Sequence, residues 1–587
     1  MNAQQRPLRI PYGVADFVKL RRGGEYYVDK THFLPFLEEA GRFLFLIRPR
    51  RFGKSLLQSV MECYYDRRWE SDFDELFHDT WIHAHPTPEK HRYLALRFDF
   101  SAVDPDSRKM AASFETYIRI ELESFVQRYS ASIPAAQGQK ILDEQTAPAR
   151  IEQLIRTLDT LGLPLYLFID EYDNFANNLL VREGRQKYQD LTHGGGFFRH
   201  FFSVLKEGVG RTGGGLARLF ITGVSPITMD DVTSGFNIAT NISLDREFNG
   251  LLGFNADEMT RLFAAFGQDY GQHRAVLDDW YNHYQFHKQC REFITNSDMA
   301  LYYLQHLYRL GDPPDELIDH NVRIDYSKLR YLVQIDRTLN GNFSRLREII
   351  ETGEQVSDIQ VSFPVEALLQ TENFVSLLYY LGLLTFAGER EGSPLLRIPN
   401  RTIRQLMYGY LREAYREVEV FKPSTWTIGE KLRAMAYRGE WAAFFDYLGE
   451  QIQAQASVRD YLQGEKMIQG FLLAWLNLTP YFRVWSESEW GSGFVDLYLA
   501  PFYARYREMR HAYLIELKYL KRGEDSPTQR QKVITEAEGQ LARYAQDARV
   551  REVLGPATLH PLVLVYSGWE LVYRVEWAET TPATTSP

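Results

Sequence analysis

The chain has 587 residues, enough for about two to four domains, and it is 45% hydrophobic and 25% charged. This composition is typical of globular proteins and excludes fibrous and low-complexity chains. The formal net charge of −10 excludes a protein that is basic throughout, although a local basic face or a carboxylate metal site remains compatible with DNA.

Cysteine usage and apolar patterning indicate where the protein resides. Cys63 and Cys290 are the two cysteines, and neither has His or Cys neighbours at metal-binding spacing. We predict that both are reduced core residues. Residues 1–9 lack the apolar core of a signal peptide, and charge interrupts every long apolar stretch. We therefore expect a cytoplasmic protein that does not bind a membrane.

The first informative stretch is a strand, a turn and a helix. Residues 43–47 are apolar and predict a buried parallel strand, and a helix is predicted from Lys54. In a P-loop, the backbone N–H groups and the helix N-terminus face phosphate, the lysine meets the β- and γ-phosphates, and the hydroxyl binds Mg²⁺. The predicted nucleotide-binding residues are Arg48, Pro49, Arg50, Arg51, Phe52, Gly53, Lys54, Ser55 and Leu56.

One position departs from the usual motif. Arg48 stands where the spacing G-x-x-x-x-G-K-[ST] has its first glycine, and Pro49 follows it. Proline must therefore set the start of the loop, since glycine freedom is missing there. Taken alone, Gly-Lys-Ser after a basic turn is also compatible with an ordinary surface turn.

A second strand, residues 93–100, and helices over 110–129 and 149–161 lead to an apolar strand that ends in Asp170-Glu171. An acidic pair at a strand tip is the partner that a P-loop needs. Asp170 would help to hold Mg²⁺ through water, and Glu171 would polarise the attacking water. Together with the P-loop, this pair predicts that the chain binds nucleotide.

A further strand, residues 217–225, ends in small polar residues. Thr222 or Ser225 is our candidate for a polar group near the γ-phosphate, and the alternative is a strand end capped by Thr and Gly. The Gly-rich turns 194–196 and 213–215 are predicted to be flexible loops. Strands that alternate with helices and carry motifs at their carboxyl ends predict a mostly parallel sheet covered on both faces.

These motifs carry a resemblance to a known family. They are Pro11-Tyr12-Gly13, Tyr27-Val28-Asp29-Lys30-Thr31, Arg48-Pro49-Arg50-Arg51-Phe52-Gly53-Lys54-Ser55, Ile169-Asp170-Glu171-Tyr172-Asp173 and Thr222-Gly223-Val224-Ser225. The chain resembles the prokaryotic AAA-ATPase-like family, whose members usually carry a C-terminal PD-(D/E)XK nuclease-like domain. The resemblance implies that the missing first glycine is a family feature.

The middle of the chain has helical periodicity with many aromatic residues. Residues 374–386, 395–400 and a helix from Thr402 predict a helix, a hairpin and a helix, as in a winged helix at the end of an ATPase lid. DNA binding through the wing is one interpretation. A packed lid that relays the nucleotide state is favoured, because the helix has few basic residues. His283 and His287 are predicted to be surface or core residues that do not bind a ligand.

Three C-terminal residues form a second constellation. Asp496 opens a strand, and Glu516 and Lys518 share one face of a strand that returns in a hairpin. Two carboxylates that share Mg²⁺, with a lysine to orient or deprotonate water, suit phosphodiester hydrolysis. A structural salt bridge on a sheet is the alternative.

The resemblance extends to this region. The pattern is similar to the D…ExK core of PD-(D/E)XK nucleases, with Val495 in place of the proline. It implies that Glu465, on a helix, and Gln540, on a later helix, join the catalytic site with Asp496, Glu516 and Lys518. Glu489 matches an acidic residue before a Gly-rich turn.

We therefore predict an α/β protein in three parts: a P-loop ATPase domain at 1–254, a helical lid with a winged-helix-like end at 255–422, and a restriction-endonuclease-like domain at 423–577. Residues 578–587 are predicted to be a disordered tail. The expected function is an ATP-controlled nuclease that uses ATP and Mg²⁺, with Mn²⁺ as a substitute at the nuclease site. The alternative is a nucleotide-gated switch or signalling scaffold that binds nucleic acid or protein without cleavage.

The expected partners are nucleic acid, with DNA favoured, and further copies of the chain. Asp170 and Ser55 are the predicted metal residues of the ATPase, and Asp496 and Glu516 those of the nuclease. Arg246 is our candidate for an arginine finger. A finger supplied in trans would require a homo-oligomer formed through the ATPase domain.

Overall fold

The structure is a computed structural model, and it describes residues 8–193, 196–209, 215–227, 239–322, 341–417, 421–455, 459, 462, 464–486, 495–503 and 505–577. The chain forms two compact units. The first comprises Met1–Lys328 and Val356–Ile403, and the second comprises Leu329–Gln355 and Arg404–Pro587. The three-part boundaries at 254/255 and 422/423 remain a prediction. The 578–587 tail and most of the two Gly-rich turns lie outside the described residues.

A parallel sheet forms the centre of the first unit, with the strand order β2-β3-β4-β1-β5. Its strands are β1 (Phe43–Ile47), β2 (Leu94–Asp99), β3 (Leu165–Asp170), β4 (Leu216–Gly223) and β5 (Thr240–Asn241). Every residue of β3 is buried, as expected for a parallel strand covered on both faces. β4 lies between β1 and β3, which are the two strands that carry the nucleotide motifs.

Local sequence signals place the helices around this sheet. One long helix begins after Thr146, whose side chain accepts a hydrogen bond from the N–H of Ala149. It ends at Gly162, which has a left-handed φ of 64° and lets the chain turn into β3. The first helices are α1 (Phe17–Arg22), α2 (Leu34–Ala40), α3 (Lys54–Tyr65), α4 (Phe73–Phe77), α5 (Trp81–Ala84), α6 (Ser107–Arg128), α7 (Ala135–Asp143), α8 (Ala147–Leu161), α9 (Asn174–Glu183), α10 (Arg185–Thr192) and α11 (Phe197–Val209).

The lid follows β5. Helix α12 (Ala256–Ala265) begins with a capping box between Asn255 and Glu258, and α13 (Tyr270–Tyr281) and α14 (Ser297–Leu310) follow. α15 (Gly341–Thr352), which belongs to the second unit, comes next in the chain and is followed by β6 (Glu354–Val356) and α16 (Thr371–Tyr380). The antiparallel hairpin of β7 (Thr385–Arg390) and β8 (Ser393–Arg397) then leads to α17 (Arg401–Glu417). The predicted helix, hairpin and helix are therefore present.

The second unit contains a mixed sheet with the order β13-β12-β11-β10-β9. Its strands are β9 (Phe482–Ser486), β10 (Leu497–Pro501), β11 (His511–Leu520), β12 (Thr558–Ser567) and β13 (Glu570–Glu576). β11 and β12 are parallel, whereas the other neighbours are antiparallel. The helices are α18 (Thr425–Arg438), α19 (Ala442–Ala454), α20 (Glu465–Leu476), α21 (Pro527–Tyr544) and α22 (Ala548–Leu554).

One face of the second sheet packs on α21. Ile534, Ala537 and Leu541 of this helix belong to a buried apolar cluster that also contains Leu514 of β11 and Val563 of β12. Residues two apart on β11 share a face, so Glu516 and Lys518 belong to the face that carries Leu514. Across the parts of both units that the structure describes, each helix is too short or too polar to span a bilayer.

Candidate active sites

The P-loop joins β1 to α3. Gly53 precedes the helix in a left-handed conformation with φ of 98°, and Arg51 has a φ of 68°. Lys54 is the first residue of α3, and its Nζ donates to the carbonyl oxygens of Arg48 and Pro49, 3.0 Å from each. Burial lowers the pKa of Lys54. The loop therefore curls around the lysine, which is the arrangement that brings its charge to a phosphate.

The side chain of Arg48 does not face the nucleotide site. Its guanidinium is 1% exposed and donates to the carbonyl oxygens of Ser243 and Phe248, the latter at 3.1 Å. It also lies 4.2 Å from the centre of the Phe286 ring. The prediction that Arg48 contacts nucleotide is therefore limited to its backbone, because these carbonyls already hold its side chain.

Phe52 has the same inward orientation. It is 1% exposed, and its ring centre lies 4.9 Å from that of Tyr284 and 5.5 Å from that of Phe286. Arg48 and Phe52 thus anchor both ends of the loop on the aromatic turn 280–286.

A cavity of about 450 Å³ opens at the P-loop. Arg50, Arg51, Phe52, Gly53, Lys54, Ser55 and Leu56 contribute to its wall, whereas Arg48 and Pro49 do not. The opposite wall contains Tyr27, Lys30, Phe254 and Asp298. A cavity of this size with apolar walls and a few polar groups suits a small-molecule ligand.

Asp170 is fully buried in a hydrogen-bond network, of which the sequence analysis identified Asp170 and Thr222 only. Its Oδ1 accepts a hydrogen bond from Thr222 Oγ1 at 2.5 Å, and its Oδ2 accepts one from Arg97 at 3.0 Å. Gln58 Nε2 donates to Thr222 Oγ1 at 3.0 Å and to the carbonyl of Ile169 at 3.1 Å. Thr222 therefore links α3 to the acidic strand, and it does not line the P-loop cavity.

Gln58 and Arg97 were missed by the sequence analysis. The available signals were weak: Gln58 lies one helical turn after Lys54, and Arg97 is a charged residue inside an apolar strand.

Glu171 lines the P-loop cavity in a constrained conformation. Its φ of 52° is left-handed, which is uncommon for a residue other than glycine. Its Oε2 accepts a hydrogen bond from Asn174 at 2.7 Å and lies 3.9 Å from Arg50. The carboxylate is thus held at the cavity by neighbours on both sides.

Ser225, the second candidate for a γ-phosphate contact, has a local role. Its N–H donates to Asp173 Oδ2 at 2.7 Å, and its carbonyl accepts a hydrogen bond from Tyr172 at 2.7 Å. Burial raises the pKa of Asp173 to about 6. Arg246 opens a short 3₁₀ turn after β5, and it is not among the residues that line the cavity.

The second site lies at the antiparallel pair of β10 and β11. The register pairs Leu497 with Ile515, so Asp496 lies opposite Glu516. Lys518 Nζ donates to Glu516 Oε1 at 2.9 Å, and Asp496 Oδ2 accepts a hydrogen bond from the N–H of Leu517 at 2.7 Å. The hairpin thus places the three predicted side chains together.

The carboxylates of this site repel one another. Burial raises the pKa of Glu516 to about 8, and the Asp496 carboxylate adds to that shift. Burial alone would lower the pKa of Lys518, but the Glu516 carboxylate outweighs this effect and leaves it raised. Glu465, at the start of α20, acts on both groups with its negative charge. The structure therefore groups Glu465 with the other three.

Gln469 is a further residue of this site that sequence reasoning missed. It is 2% exposed, and its Nε2 donates to the carbonyl of Asp496 at 2.7 Å. It lies one helical turn after Glu465, which was the signal available in the sequence.

Gln540 lies on α21, whose apolar residues cover the face of β11 that carries Glu516. Its Oε1 is buried, and no hydrogen-bond partner for it is found among the described residues. Its place in the catalytic group remains a prediction. Glu489 lies outside the described residues.

The carboxylate pair fits a divalent metal ion. Glu516 Oε2 is buried and has no hydrogen-bond partner in the described part of the chain. No group of three or more His, Cys, Asp or Glu residues that could hold a metal is found there either. Mg²⁺ needs only one or two carboxylates, because it usually keeps several water ligands. Asp496 and Glu516 are thus sufficient protein ligands for that ion.

Two family models match the chain. Residues 11–233 match a family described as predicted AAA-ATPase, and residues 463–577 match the PD-(D/E)XK nuclease superfamily. The chain therefore carries an AAA-ATPase-like domain and a C-terminal domain of the PD-(D/E)XK nuclease superfamily.

A curated relative matches part of the chain. It is the "Uncharacterized protein in vnfD 5'region" of Azotobacter chroococcum mcd 1, 29% identical over 284 residues. The match covers 47% of this chain and 49% of the relative, so the chain spans about half the length of that protein.

Two solved structures show distant similarity. The Aeropyrum pernix ORC2 protein, solved as ADPNP–ADP complexes, has a TM-score of 0.31 and 11% identity over 66% of this chain and 92% of its own. Cdc6p from Pyrobaculum aerophilum has a TM-score of 0.21 and 9% identity, over 63% and 88% respectively. The fold assignment rests on the strand order and the family matches instead.

Proposed function

We propose that this chain, which joins an AAA-ATPase-like domain to a PD-(D/E)XK nuclease superfamily domain, hydrolyses ATP and cleaves nucleic acid under the control of the bound nucleotide. DNA is the favoured substrate. The observation that carries the proposal is the contact of Lys518 with Glu516 beside Asp496. Metal-dependent hydrolysis uses two carboxylates and a lysine together, whereas a structural ion pair would need only one carboxylate.

Both reactions need a divalent cation. When bound, Mg²⁺ neutralises phosphate charge and lowers the pKa of a bound water, and Mn²⁺ can replace it at the nuclease site. Ser55 and Asp170 would hold the ion in the first unit. Asp496 and Glu516 would hold it in the second.

In the ATPase, the chain's own residues bind and orient. The backbone of the P-loop and the N-terminus of α3 face the phosphates, and Lys54 places its charge beside them. Glu171, held by Asn174, orients the attacking water. Thr222 and Gln58 keep Asp170 in position through hydrogen bonds.

In the nuclease, Lys518 donates a hydrogen bond to Glu516, and the Glu516 carboxylate raises the pKa of this lysine. Its amino group would orient or deprotonate the attacking water, and in its charged form it would stabilise the negative charge that develops on the phosphate. Gln469 fixes the Asp496 backbone from α20, which also presents Glu465. The sheet and this helix thus preorganise the carboxylates.

A contact path supports control by nucleotide. The P-loop residues Arg48 and Phe52 pack on Phe286. The carbonyl of Phe286 accepts a hydrogen bond from Tyr379 of α16 at 3.1 Å, and the N–H of Gln285 donates to Thr385 of β7 at 2.7 Å. A movement of the loop on ATP binding would therefore shift the aromatic turn and the hairpin. Assembly into homo-oligomers, with Arg246 as a finger in trans, is part of the same proposal.

The test is cleavage of single- and double-stranded DNA and of RNA, with Mg²⁺ or Mn²⁺, in the presence and absence of ATP. Wild type would be compared with Lys518→Ala, Lys54→Ala and the control Lys521→Ala, whose side chain is 76% exposed. We expect cleavage to require a divalent metal ion, to be lost in Lys518→Ala and to be kept in Lys521→Ala. In Lys54→Ala, cleavage should respond to ATP differently from wild type.

Two results would count against the proposal. If wild type binds nucleic acid but leaves every substrate intact, the second unit is a binding module of a nucleotide-gated switch. If Lys54→Ala cuts as wild type does at every ATP concentration, the nuclease is not under nucleotide control.

A further inference from the structure

Asp99 is an acidic residue at the ATPase site to which the motifs assign no role. It is the last residue of β2, and the parallel register pairs it with Asp170 on β3. It lines the P-loop cavity together with Lys54, Ser55 and Glu171. It also lines a neighbouring cavity of about 780 Å³, whose wall again includes Ser55 and, in addition, Arg97. Asp99 and Ser55 are thus both in the walls of the two cavities.

The backbone and one oxygen of Asp99 are held by neighbours. Its N–H donates to the Tyr117 hydroxyl at 2.6 Å, and its Oδ1 accepts a hydrogen bond from the N–H of Ser101 at 2.9 Å, which caps a 3₁₀ turn. Within the described ranges, Oδ2 has no hydrogen-bond donor. The carboxylate is therefore oriented through one oxygen and can accept a proton at the other.

The two motif carboxylates are more fully engaged. Both oxygens of Asp170 accept hydrogen bonds, and Arg97 neutralises its charge at 3.0 Å. Glu171 accepts a hydrogen bond from Asn174 and lies near Arg50. A carboxylate that is neutralised by a cation accepts a proton less readily. Of the acidic residues in the wall of the P-loop cavity, Glu171 pairs with Arg50 and Asp298 with Arg51, whereas the described residues give no ion pair for Asp99.

We propose that Asp99 is a second catalytic carboxylate of the ATPase and that its Oδ2 accepts the proton of the attacking water. This inference rests on the proposed ATP hydrolysis. The water oxygen forms a bond to the γ-phosphorus, and the bond from that phosphorus to the β–γ bridging oxygen breaks, with its electron pair leaving on ADP. The water proton passes to Asp99 Oδ2 and then to solvent, while Glu171 aligns the water.

A purely structural role for Asp99 can be separated from this one. Asparagine has the same shape, and its side-chain oxygen also caps a turn, but it cannot accept the proton. Asp99→Asn therefore keeps the contact with Ser101 and removes only the basic oxygen. Asp104 offers a matched control, because its Oδ1 caps the same connection by accepting a hydrogen bond from the N–H of Asp106 at 3.0 Å, and it lines neither cavity.

The experiment measures binding and turnover in the full-length protein. The Kd for a fluorescent ATP analogue and the single-turnover rate of ATP hydrolysis would be determined for wild type, Asp99→Asn, Asp104→Asn and Glu171→Gln. We expect Asp99→Asn to slow hydrolysis about 100-fold or more, which is the typical contribution of a general base. Its Kd should be equal or lower, because a negative charge beside the triphosphate has been removed. Asp104→Asn should match wild type in both.

Each alternative result has a definite meaning. Wild-type hydrolysis that persists in Asp99→Asn would overturn this inference and leave the proposed ATPase intact. An equal loss of analogue affinity and rate in Asp99→Asn would assign Asp99 to the fold of the loop and overturn its catalytic role. A wild type that binds no analogue would overturn the proposed ATPase and the inference together.

Discussion

The carboxylate of Glu516 makes the stability of the second unit depend on pH. Burial and Asp496 raise its pKa to about 8 from an ordinary 4.5. Between these values the folded unit retains a proton that the unfolded chain has released, so unfolding becomes easier as pH rises. We expect the free energy of unfolding, measured with urea in the presence of a chelator, to fall by about 1–3 kcal/mol from pH 5 to pH 8.

Glu516→Gln should flatten this dependence, because the amide does not titrate. Added Mn²⁺ should restore wild-type stability at pH 8 by favouring the ionised carboxylate, and it should not stabilise the variant to the same extent. Glu524→Gln is the control, since its carboxylate is exposed and pairs with Lys521. Equal pH slopes in wild type and Glu516→Gln would contradict the assignment.

Individual site residues could be predicted from the sequence only where a local pattern fixes the direction of their side chains. Asp496, Glu516 and Lys518 were predictable because the period of a strand fixes which side chains share a face. The inward direction of Arg48 was not, because its partners are carbonyls about 200 positions further along the chain. Long-range partners of this kind leave no local pattern. Gln58, Arg97 and Gln469 also have partners on other elements, and the local signal of each was too weak to identify it.

The packing of one helix on another leads to a second prediction. α15 packs on α20, and a Cβ added at Gly470 of α20 would collide with Glu351 of α15. We expect Gly470→Ala to lower the free energy of unfolding of the second unit by about 1–3 kcal/mol, as overpacking does. The same variant should weaken Mn²⁺ binding, since α20 also carries Glu465 and Gln469.

Gly449→Ala in α19 is the matched control for this prediction. Its Cβ would meet nothing within 4 Å, so the helical glycine can be replaced with a gain of up to about 1 kcal/mol. Urea unfolding and Mn²⁺ titration of both variants would test the packing. If Gly470→Ala is as stable as Gly449→Ala, α15 does not constrain α20.

Element prediction succeeded where periodicity and end signals agreed. The strand before Asp170 and the hairpin before α17 were identified because apolar runs and turn residues coincide there. The segment that forms α15 was assigned to the lid from its position in the chain. Contacts place it in the second unit, and tertiary contacts of this kind are not encoded in local sequence.

For the whole molecule, two compact units predict two thermal transitions, because units with separate cores need not unfold together. ATP with Mg²⁺ should raise the transition of the first unit by about 3 °C at a concentration near 100 times its Kd. Scanning calorimetry of wild type and Lys54→Ala would measure this shift, which the variant should lose. A wild type in which ATP moves neither transition would contradict nucleotide binding.

The order of segments in the two units has a consequence for manipulating the protein. The chain leaves the first unit after Lys328, returns to it at Val356 and leaves it again after Ile403. Three chain crossings therefore connect the units. A fragment that begins at residue 423 would lack α15 and α17, and would expose the apolar side of α20 to water. Neither unit is encoded by one uninterrupted gene segment, so cutting the chain at any single point leaves part of one unit on the fragment that carries the other.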